Sequence, residues 1–166
     1  MEKKNKIFLV GFMGCGKSTV GKLLSMKMGR PFFDIDHLIE HESGKKVSEI
    51  FHDQGEEHFR VLESEVVKRL CQGKKSVISG GGGCFCDRGN RAVIMKSCHT
   101  VFLSADIERL KSRIGKGDNR PKSHDPVELV RLYHARLQDY EQAEIRVEVE
   151  DKSPLQIVEE ILEQLL

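Results

Sequence analysis

The stretch Gly11-Phe12-Met13-Gly14-Cys15-Gly16-Lys17-Ser18-Thr19 matches the pattern G-x-x-x-x-G-K-[ST], which is typical of a phosphate-binding loop. In such a loop the backbone N–H groups point inward around phosphate oxygens, and a side chain at Gly11 or Gly16 would obstruct that approach. The stretch therefore predicts a nucleotide triphosphatase or kinase core. Lys17 would reach the β and γ phosphates, and the hydroxyl of Ser18 would ligate Mg²⁺.

The flanking sequence supports this interpretation, because the loop lies between a predicted strand and a predicted helix. Residues 7–10 form a continuous apolar run typical of a buried strand, and apolar residues recur at helical spacing over residues 17–28, before Gly29. The amino-terminal end of a helix favours an anion. A glycine-rich turn that binds nothing is the alternative, and it is much the weaker one for a full pattern in this setting.

The length and composition of the chain predict one soluble domain spanning residues 1–166. The 27 Lys and Arg residues against 26 Asp and Glu leave a net charge of +1, which provides no basic field for a nucleic acid. No apolar run approaches membrane-spanning length, and the five cysteines lack disulfide-framework spacing, which favours reduced thiols. We therefore expect a cytoplasmic protein without a nucleic-acid or membrane partner.

Short apolar runs alternate with longer helical patterns, which is typical of an α/β fold whose parallel strands are connected by helices. The predicted strands cover residues 7–10, 31–35, 76–79, 99–103 and 145–149. The predicted helices cover residues 17–28, 36–42, 47–53, 55–70, 88–96, 106–114, 127–141 and 154–166.

One segment, residues 115–126, departs from this alternation. It is polar, basic and flanked by glycine, and it has no apolar periodicity. A loop of this length in a compact domain is usually functional or disordered. Because it accompanies a phosphate loop, we predict a lid here and keep an ordinary surface loop as the alternative.

Two acidic residues follow the second predicted strand, at the kind of sheet edge where ligands of α/β proteins bind. Asp34 and Asp36 are two positions apart, so in an extended backbone their side chains would point the same way. One would assist Mg²⁺ and the other would handle an acceptor hydroxyl. The alternative is that Asp36 only caps the next helix.

Glycines and arginines supply the remaining candidates. The run Gly80-Gly81-Gly82-Gly83 follows the third predicted strand, where its cost in backbone entropy implies a close ligand approach or a turn without side chains. A guanidinium group suits bidentate binding of carboxylate or phosphate. The arginines whose placement makes them candidates are Arg60, Arg113, Arg120 and Arg136.

Taken together, these residues resemble the shikimate kinase family along nearly the whole chain. The matching motifs are the phosphate loop at 11–19, D-x-D at 34–36, G-E-x-x-F-R at 55–60, a triple glycine at 81–83, R-P at 120–121 and R-x-x-x-Y at 136–140. The resemblance implies a three-layer P-loop kinase with a lid, built on a five-stranded parallel sheet in the order 2-3-1-4-5 with helices on both faces. The implied reaction transfers the γ-phosphoryl group of ATP to the 3-hydroxyl of shikimate.

For the nucleotide, the resemblance implies ATP with Mg²⁺. Ser18 and Asp34 would serve the metal, Asp34 through water, while Arg120 would close over the phosphates and Arg113 would pack near adenine. The implied ATP-binding residues are Gly14, Cys15, Gly16, Lys17, Ser18, Thr19, Arg113 and Arg120.

For the acceptor, the resemblance implies a substrate-binding helical part at residues 36–62. Asp36 would bind the shikimate hydroxyls and orient or deprotonate the acceptor, which makes Lys17, Asp36 and Arg120 the catalytic set. Arg60 and Arg136 would hold the shikimate carboxylate. The backbone of Gly81, Gly82 and Gly83 would approach the shikimate ring. We expect the protein to be a monomer.

The chain departs from the family pattern at three places. Family members often have a residue other than glycine where Gly80 stands and a small apolar residue where Cys84 stands. Many also have Arg or Asn in the adenine-contacting loop near the fifth strand, where this chain has Glu150-Asp151-Lys152-Ser153. The last difference leaves the adenine contacts open.

Three rival functions share the phosphate loop, since a fold does not determine an acceptor. A gluconate-type or other small-metabolite kinase would lack the combination of D-x-D with Arg60 and Arg136. A catalytically silent nucleotide-binding regulator would have lost a key position, but Lys17, Asp36 and Arg120 are intact. A nucleoside monophosphate kinase would need more cationic and base-recognition residues than the sequence offers.

Overall fold

The computed structural model of the protein describes residues 4–114 and 125–166. Within these ranges the strands are β1 (Lys6–Val10), β2 (Phe32–Asp34), β3 (Val77–Ser79), β4 (Cys98–Ser104) and β5 (Ile145–Glu148). The helices of the same ranges are α1 (Lys17–Met28), α2 (Ile35–Ser43), α3 (Val47–Gln72), α4 (Arg88–Ser97), α5 (Ile107–Ile114), α6 (Pro126–Tyr140) and α7 (Pro154–Leu165). A short 3-10 helix covers Cys84–Cys86.

The five strands form one parallel sheet in the order β2-β3-β1-β4-β5, which confirms the predicted fold class and strand order. Strand β1 is central, and its Leu9 lies opposite Ser79 of β3 and Val101 of β4. Every residue of β1 is buried. A parallel strand covered on both faces is apolar at successive positions, which explains the unbroken apolar run before the phosphate loop.

The helices form the outer layers. Helix α1 contacts β3 and α7, and α7 contacts β5, while α4 contacts α3 and β4. Large side chains such as Phe8, Leu24 and Phe102 are fully buried in the core between the layers. The phosphate loop, α2 and the glycine run follow the carboxyl ends of β1, β2 and β3, so the topology brings all three to one edge of the sheet.

Three local features differ from the sequence predictions or refine them. Strand β2 ends at Asp34 and α2 begins at Ile35, so the predicted extended backbone through Asp36 is wrong. The two helices predicted at 47–53 and 55–70 are the two halves of α3, separated by Gly55, whose φ of 83° is not helical. The 3-10 helix was not predicted.

The predicted lid at 115–126 falls mostly outside the described residues, which resume at Asp125, the amino-terminal cap of α6. Among residues 4–114 and 125–166, no helix has both the length and the apolar character needed to cross a bilayer.

Candidate active site

The phosphate loop turns from β1 into α1 with glycine at both ends. A Cβ atom at Gly11 would lie 2.8 Å from the sulfur of Cys15 and 2.9 Å from the carbonyl oxygen of Leu103, so no side chain fits there. Gly16 is the amino-terminal cap of α1 with a φ of 96°, and no side chain in the described part of the chain caps it. The first N–H groups of α1 are therefore available to an anion.

Two polar side chains of α1 line the same turn. The ammonium of Lys17 is buried and donates to the carbonyl oxygens of Gly11 at 2.7 Å and Phe12 at 3.0 Å. The hydroxyl of Ser18 donates to Oδ2 of Asp34 at 2.7 Å. A hydroxyl and a carboxylate in contact form an oxygen donor pair of the kind that Mg²⁺ prefers.

Asp34 has a second role, which the sequence analysis offered only as an alternative for Asp36. Its Oδ1 accepts a hydrogen bond from the backbone N–H of His37 at 3.2 Å, so Asp34 is the amino-terminal cap of α2. The alternative that Asp36 caps this helix is wrong, because Asp36 lies in the first turn of α2. The side chain of Asp36 lines both cavities of the site.

The phosphate cavity is the open, mostly polar space around the loop, with about 710 Å³ of empty volume. Its lining residues are Met13, Gly14, Gly16, Lys17, Ser18, Thr19, Asp34, Asp36, Ser79 and Gly80. The side chain of Cys15 is buried against Gly11, so only its backbone is placed to serve a nucleotide.

Arg113 and Arg120 are the two arginines predicted to bind ATP. Arg113, near the end of α5, donates to the carbonyl oxygen of Gly14 at 3.4 Å, so its guanidinium lies beside the phosphate loop. Arg120 lies outside the described residues, and its role stays a prediction.

The second cavity, here called the acceptor pocket, adjoins the first and shares Met13 and Asp36 with it. Its empty space, which includes space open to solvent, is about 430 Å³. Its walls combine apolar side chains of the helical part with charged groups. The lining residues are Met13, Asp36, Val47, Phe51, Phe59, Arg60, Glu63, Gly81, Gly82, Gly83 and Arg136.

Each glycine of the triple faces charged groups at contact distance. A Cβ atom at Gly83 would lie 2.6 Å from Nη2 of Arg60 and 2.9 Å from Nη2 of Arg136, so the two guanidinium groups converge on one point. A Cβ atom at Gly81 would lie 3.0 Å from Oδ1 of Asp36. The glycine turn, Gly80–Gly83, therefore has cations at one end and a carboxylate near the other, and side chains there would fill the pocket.

Glu63 is a buried acid of this pocket that the sequence analysis missed. Its Oε1 accepts from Nη1 of Arg60 at 2.7 Å. Burial raises the pKa of the Glu63 carboxyl and Asp36 raises it further, while the positive charges of Arg60 and Arg136 only partly oppose this. The available signal was the i, i+3 spacing of Arg60 and Glu63 within one predicted helix.

The pKa of the Arg60 guanidinium is raised, which keeps this group positively charged. Burial lowers the pKa of its guanidinium, but the carboxylates of Glu63 and Glu56 outweigh burial and leave it above the ordinary value. Arg60 therefore presents a permanent positive charge whose orientation is held by Glu63.

Tyr140 holds the glycine turn from the other side. It is buried, and its hydroxyl donates to the carbonyl oxygen of Gly82. Because Tyr140 follows Arg136 by four residues on α6, both side chains lie on the same helix face toward the turn. The R-x-x-x-Y spacing thus places a cation and a structural hydroxyl at adjacent glycines.

A phosphate loop that opens onto a second, partly charged pocket on a parallel sheet defines a P-loop kinase with a small acceptor. Of the predicted site residues, the structure brings Lys17, Ser18, Asp34 and Asp36 together at the first cavity. It gathers Asp36, Arg60, the three glycines and Arg136 at the second. The chain belongs to the shikimate kinase family, whose family model matches residues 13–166.

Relatives and solved structures agree with this membership over nearly the full length. A shikimate kinase of Persephonella marina is 44% identical over 157 residues, which are 94% of this chain and 96% of the relative. The shikimate kinase structure from Aquifex aeolicus has a TM-score of 0.88 and 36% identity, covering 96% of this chain and 95% of that one. The structure from Acinetobacter baumannii, in complex with shikimate, has a TM-score of 0.94 and 32% identity, covering 99% and 94%.

Proposed function

We propose that this protein transfers the γ-phosphoryl group of ATP to the 3-hydroxyl of shikimate, giving shikimate 3-phosphate and ADP. The observation that carries the proposal is the convergence of Arg60 and Arg136 at Gly83, with Asp36 near Gly81 in the same turn. This arrangement matches a ring with a carboxylate at one end and hydroxyls at the other. The related structure of a shikimate kinase from Acinetobacter baumannii in complex with shikimate supports this choice of acceptor.

ATP would occupy the phosphate cavity. Its phosphates would meet the N–H groups of the loop and of the first turn of α1, and Lys17 would exchange the carbonyls of Gly11 and Phe12 for the β and γ phosphates. Arg113, whose guanidinium lies beside Gly14, would pack near the adenine of ATP.

Mg²⁺ is the metal that the donor set favours, because the contact between Ser18 and Asp34 offers oxygens and no sulfur or nitrogen. Ser18 would hold the ion directly and Asp34 through water. When bound, Mg²⁺ supplies positive charge that neutralises the phosphates.

The chemistry of transfer would then divide among three residues. Asp36, which lines both cavities, would accept the proton of the 3-hydroxyl as that oxygen bonds to the γ phosphorus and the bond from this phosphorus to the β,γ-bridging oxygen breaks. Lys17 would stabilise the charge that develops on the phosphates. Arg120, proposed from the sequence alone, would add a second cation on closure.

The experiment that tests the proposal is an assay of ADP release over a panel of acceptors: shikimate, gluconate and nucleoside monophosphates. We expect shikimate to be turned over with a kcat/KM at least about 100-fold above the others, because gluconate cannot present a ring to the walls formed by Val47, Phe51 and Phe59. Preference for gluconate or for a nucleoside monophosphate would refute the proposed acceptor.

The proposed setting is the cytoplasm, where ATP is available, and the proposed working form is a monomer. All five cysteines lie in the described ranges and have free thiols, in keeping with a reducing compartment.

A further inference from the structure

Arg91 in the first turns of α4 makes a set of contacts that the site described above does not use. Its Nη1 atom donates to the carbonyl oxygens of Phe85 at 3.0 Å and Cys86 at 3.3 Å, and to Oδ1 of Asp139 at 3.1 Å. The Arg91 side chain is only 12% exposed. A largely buried arginine with three acceptors is fixed in one orientation.

The acceptors belong to the segment that continues the glycine turn. This segment is the 3-10 helix Cys84–Cys86, and the side-chain amide of the adjacent Asn90 donates to the carbonyl oxygen of Cys84 at 3.3 Å. Asn90 and Arg91 therefore bind three successive carbonyls. Burial of Cys84 and Phe85 anchors the segment in the core, and the donors from α4 satisfy its carbonyl oxygens, which a 3-10 helix this short does not satisfy by itself.

The third acceptor connects this segment to the helix that carries an arginine of the acceptor pocket. Asp139 follows Arg136 by three residues on α6, and the next residue, Tyr140, donates to Gly82. The turn is thus tied to α6 at two points, at Gly82 by Tyr140 and after Gly83 by Arg91. Between these points, Nη2 of Arg136 lies 2.9 Å from the Cβ position of Gly83.

From this connection we infer that Arg91 is a positioning residue for the acceptor, which sets the separation between the glycine turn and Arg136. Arg91 is not among the described residues that line the acceptor pocket, so it acts through the turn and not by touching the substrate. The inference rests on the proposed function, because the group that Arg136 would meet is the carboxylate of shikimate. Misplacement of a binding group by about 1 Å is enough to weaken its contact strongly.

A positioning role predicts a specific kinetic pattern. Arg91→Ala should raise the KM for shikimate about 10-fold, with the KM for ATP and kcat changed less than about 2-fold, since the phosphate loop does not depend on this connection. Arg91→Lys retains a cation of similar reach but a single donor centre, and should recover part of the loss. Asp139→Asn should have a smaller effect of the same kind, because the carbonyl contacts remain.

The experiment is steady-state kinetics with both substrates varied for wild type, Arg91→Ala, Arg91→Lys and Asp139→Asn. Arg88→Ala, which removes an exposed arginine of the same helix, is the matched control and should resemble wild type. Thermal melting of each variant shows whether it is folded. If Arg91→Ala does not fold, the KM values of Arg91→Lys and Asp139→Asn for shikimate test the inference.

Unchanged KM for shikimate in the folded Arg91 and Asp139 variants would overturn the inference. Equal losses in both KM values and in kcat, following the loss of melting temperature, would also overturn it, because they would indicate a structural role only. Absence of turnover of shikimate by the wild type would instead refute the proposed function, so the two failures are distinguishable.

Discussion

The phosphate cavity and the acceptor pocket are built in opposite ways. The first is made mainly by nine consecutive residues, 11–19, whose glycines let backbone groups face the ligand. The second is assembled from the phosphate loop, α2, α3, the glycine turn and α6, which are separated by tens of residues. The comparison teaches that phosphate recognition is a property of local geometry, whereas acceptor recognition is a property of how the elements pack.

Their electrostatics differ as well. In the phosphate cavity, Lys17 is held by two backbone carbonyls and can exchange them for phosphate oxygens. In the acceptor pocket, Arg60 is paired with the fully buried Glu63, and Arg136 lies beside it at Gly83. Breaking a buried pair is costly because it leaves one charge uncompensated, so substitution of Arg60 or Glu63 should also lower the stability of the folded protein.

The largest effect should come from the phosphate cavity. Lys17→Met should lower kcat by about 10³-fold or more, because Lys17 is the one cation among the described residues that line the phosphate cavity. Binding of shikimate, measured by calorimetry, should change little, since Lys17 does not line the acceptor pocket among the described residues. Lys22→Met, at an exposed lysine of the same helix, is the control. Near-normal turnover by Lys17→Met would contradict the assignment of phosphate binding and transfer to the phosphate cavity.

Asp36 tests the residue that the two cavities share. Asp36→Asn keeps the size of the side chain but loses the base, so kcat should fall by about 10²-fold or more while the KM for ATP stays close to that of wild type. Steady-state kinetics are the measurement, and Glu42→Gln, at an exposed acid of α2, is the matched control. A raised KM with unchanged kcat would show that Asp36 binds but does not take part in transfer.

Arg136 tests the acceptor pocket alone. Arg136→Gln should raise the KM for shikimate by roughly 10- to 100-fold, which corresponds to the loss of a charge-assisted hydrogen bond of about 1.5–3 kcal/mol. The KM for ATP should be unaffected. Arg131→Gln, whose arginine is 79% exposed on the same helix, should behave like wild type. Parallel rises in both KM values would mean that the two cavities are not independent.

The smallest effect concerns stability and pH. The raised pKa of Glu63 means that the folded protein holds this proton more tightly than the unfolded chain does. The resulting stabilisation is complete below the ordinary value of 4.5 and is lost as the pH rises through the folded pKa. The free energy of unfolding of wild type relative to Glu63→Gln should therefore fall as the pH rises from about 4.5. Urea titrations at several pH values measure it, and a pH-independent difference would contradict the raised pKa.

The phosphate cavity was largely predictable from sequence, and the reason is physical. Helix α1 spans Lys17–Met28 as predicted, because its start follows from the loop pattern and its end from Gly29, whose φ is 60°. The sheet order and the family were also predicted through the resemblance and are confirmed. A backbone conformation that few residues can adopt restricts the residue type at that position, and glycine is the clearest example.

The acceptor pocket was predictable only in part. Its arginines and glycines were predicted as candidates, but the burial of Glu63 and the contacts of Arg91 depend on how α3, α4 and α6 pack around a turn without side chains. The capping of α2 by Asp34 was missed for a related reason. Strand β2 ends one residue before the sequence pattern suggested, so α2 begins at Ile35, and Asp34 is both the last residue of the strand and the cap of this helix.

The central claim is that Arg60 and Arg136 converge to bind a carboxylate on the acceptor. The most direct test compares wild-type kcat/KM for shikimate with that for shikimate methyl ester, which keeps the ring and hydroxyls but removes the negative charge. The account predicts a preference for the acid of roughly 10- to 100-fold, expressed mainly in KM. Equal efficiency with the acid and the ester would contradict the claim and require another role for the two arginines.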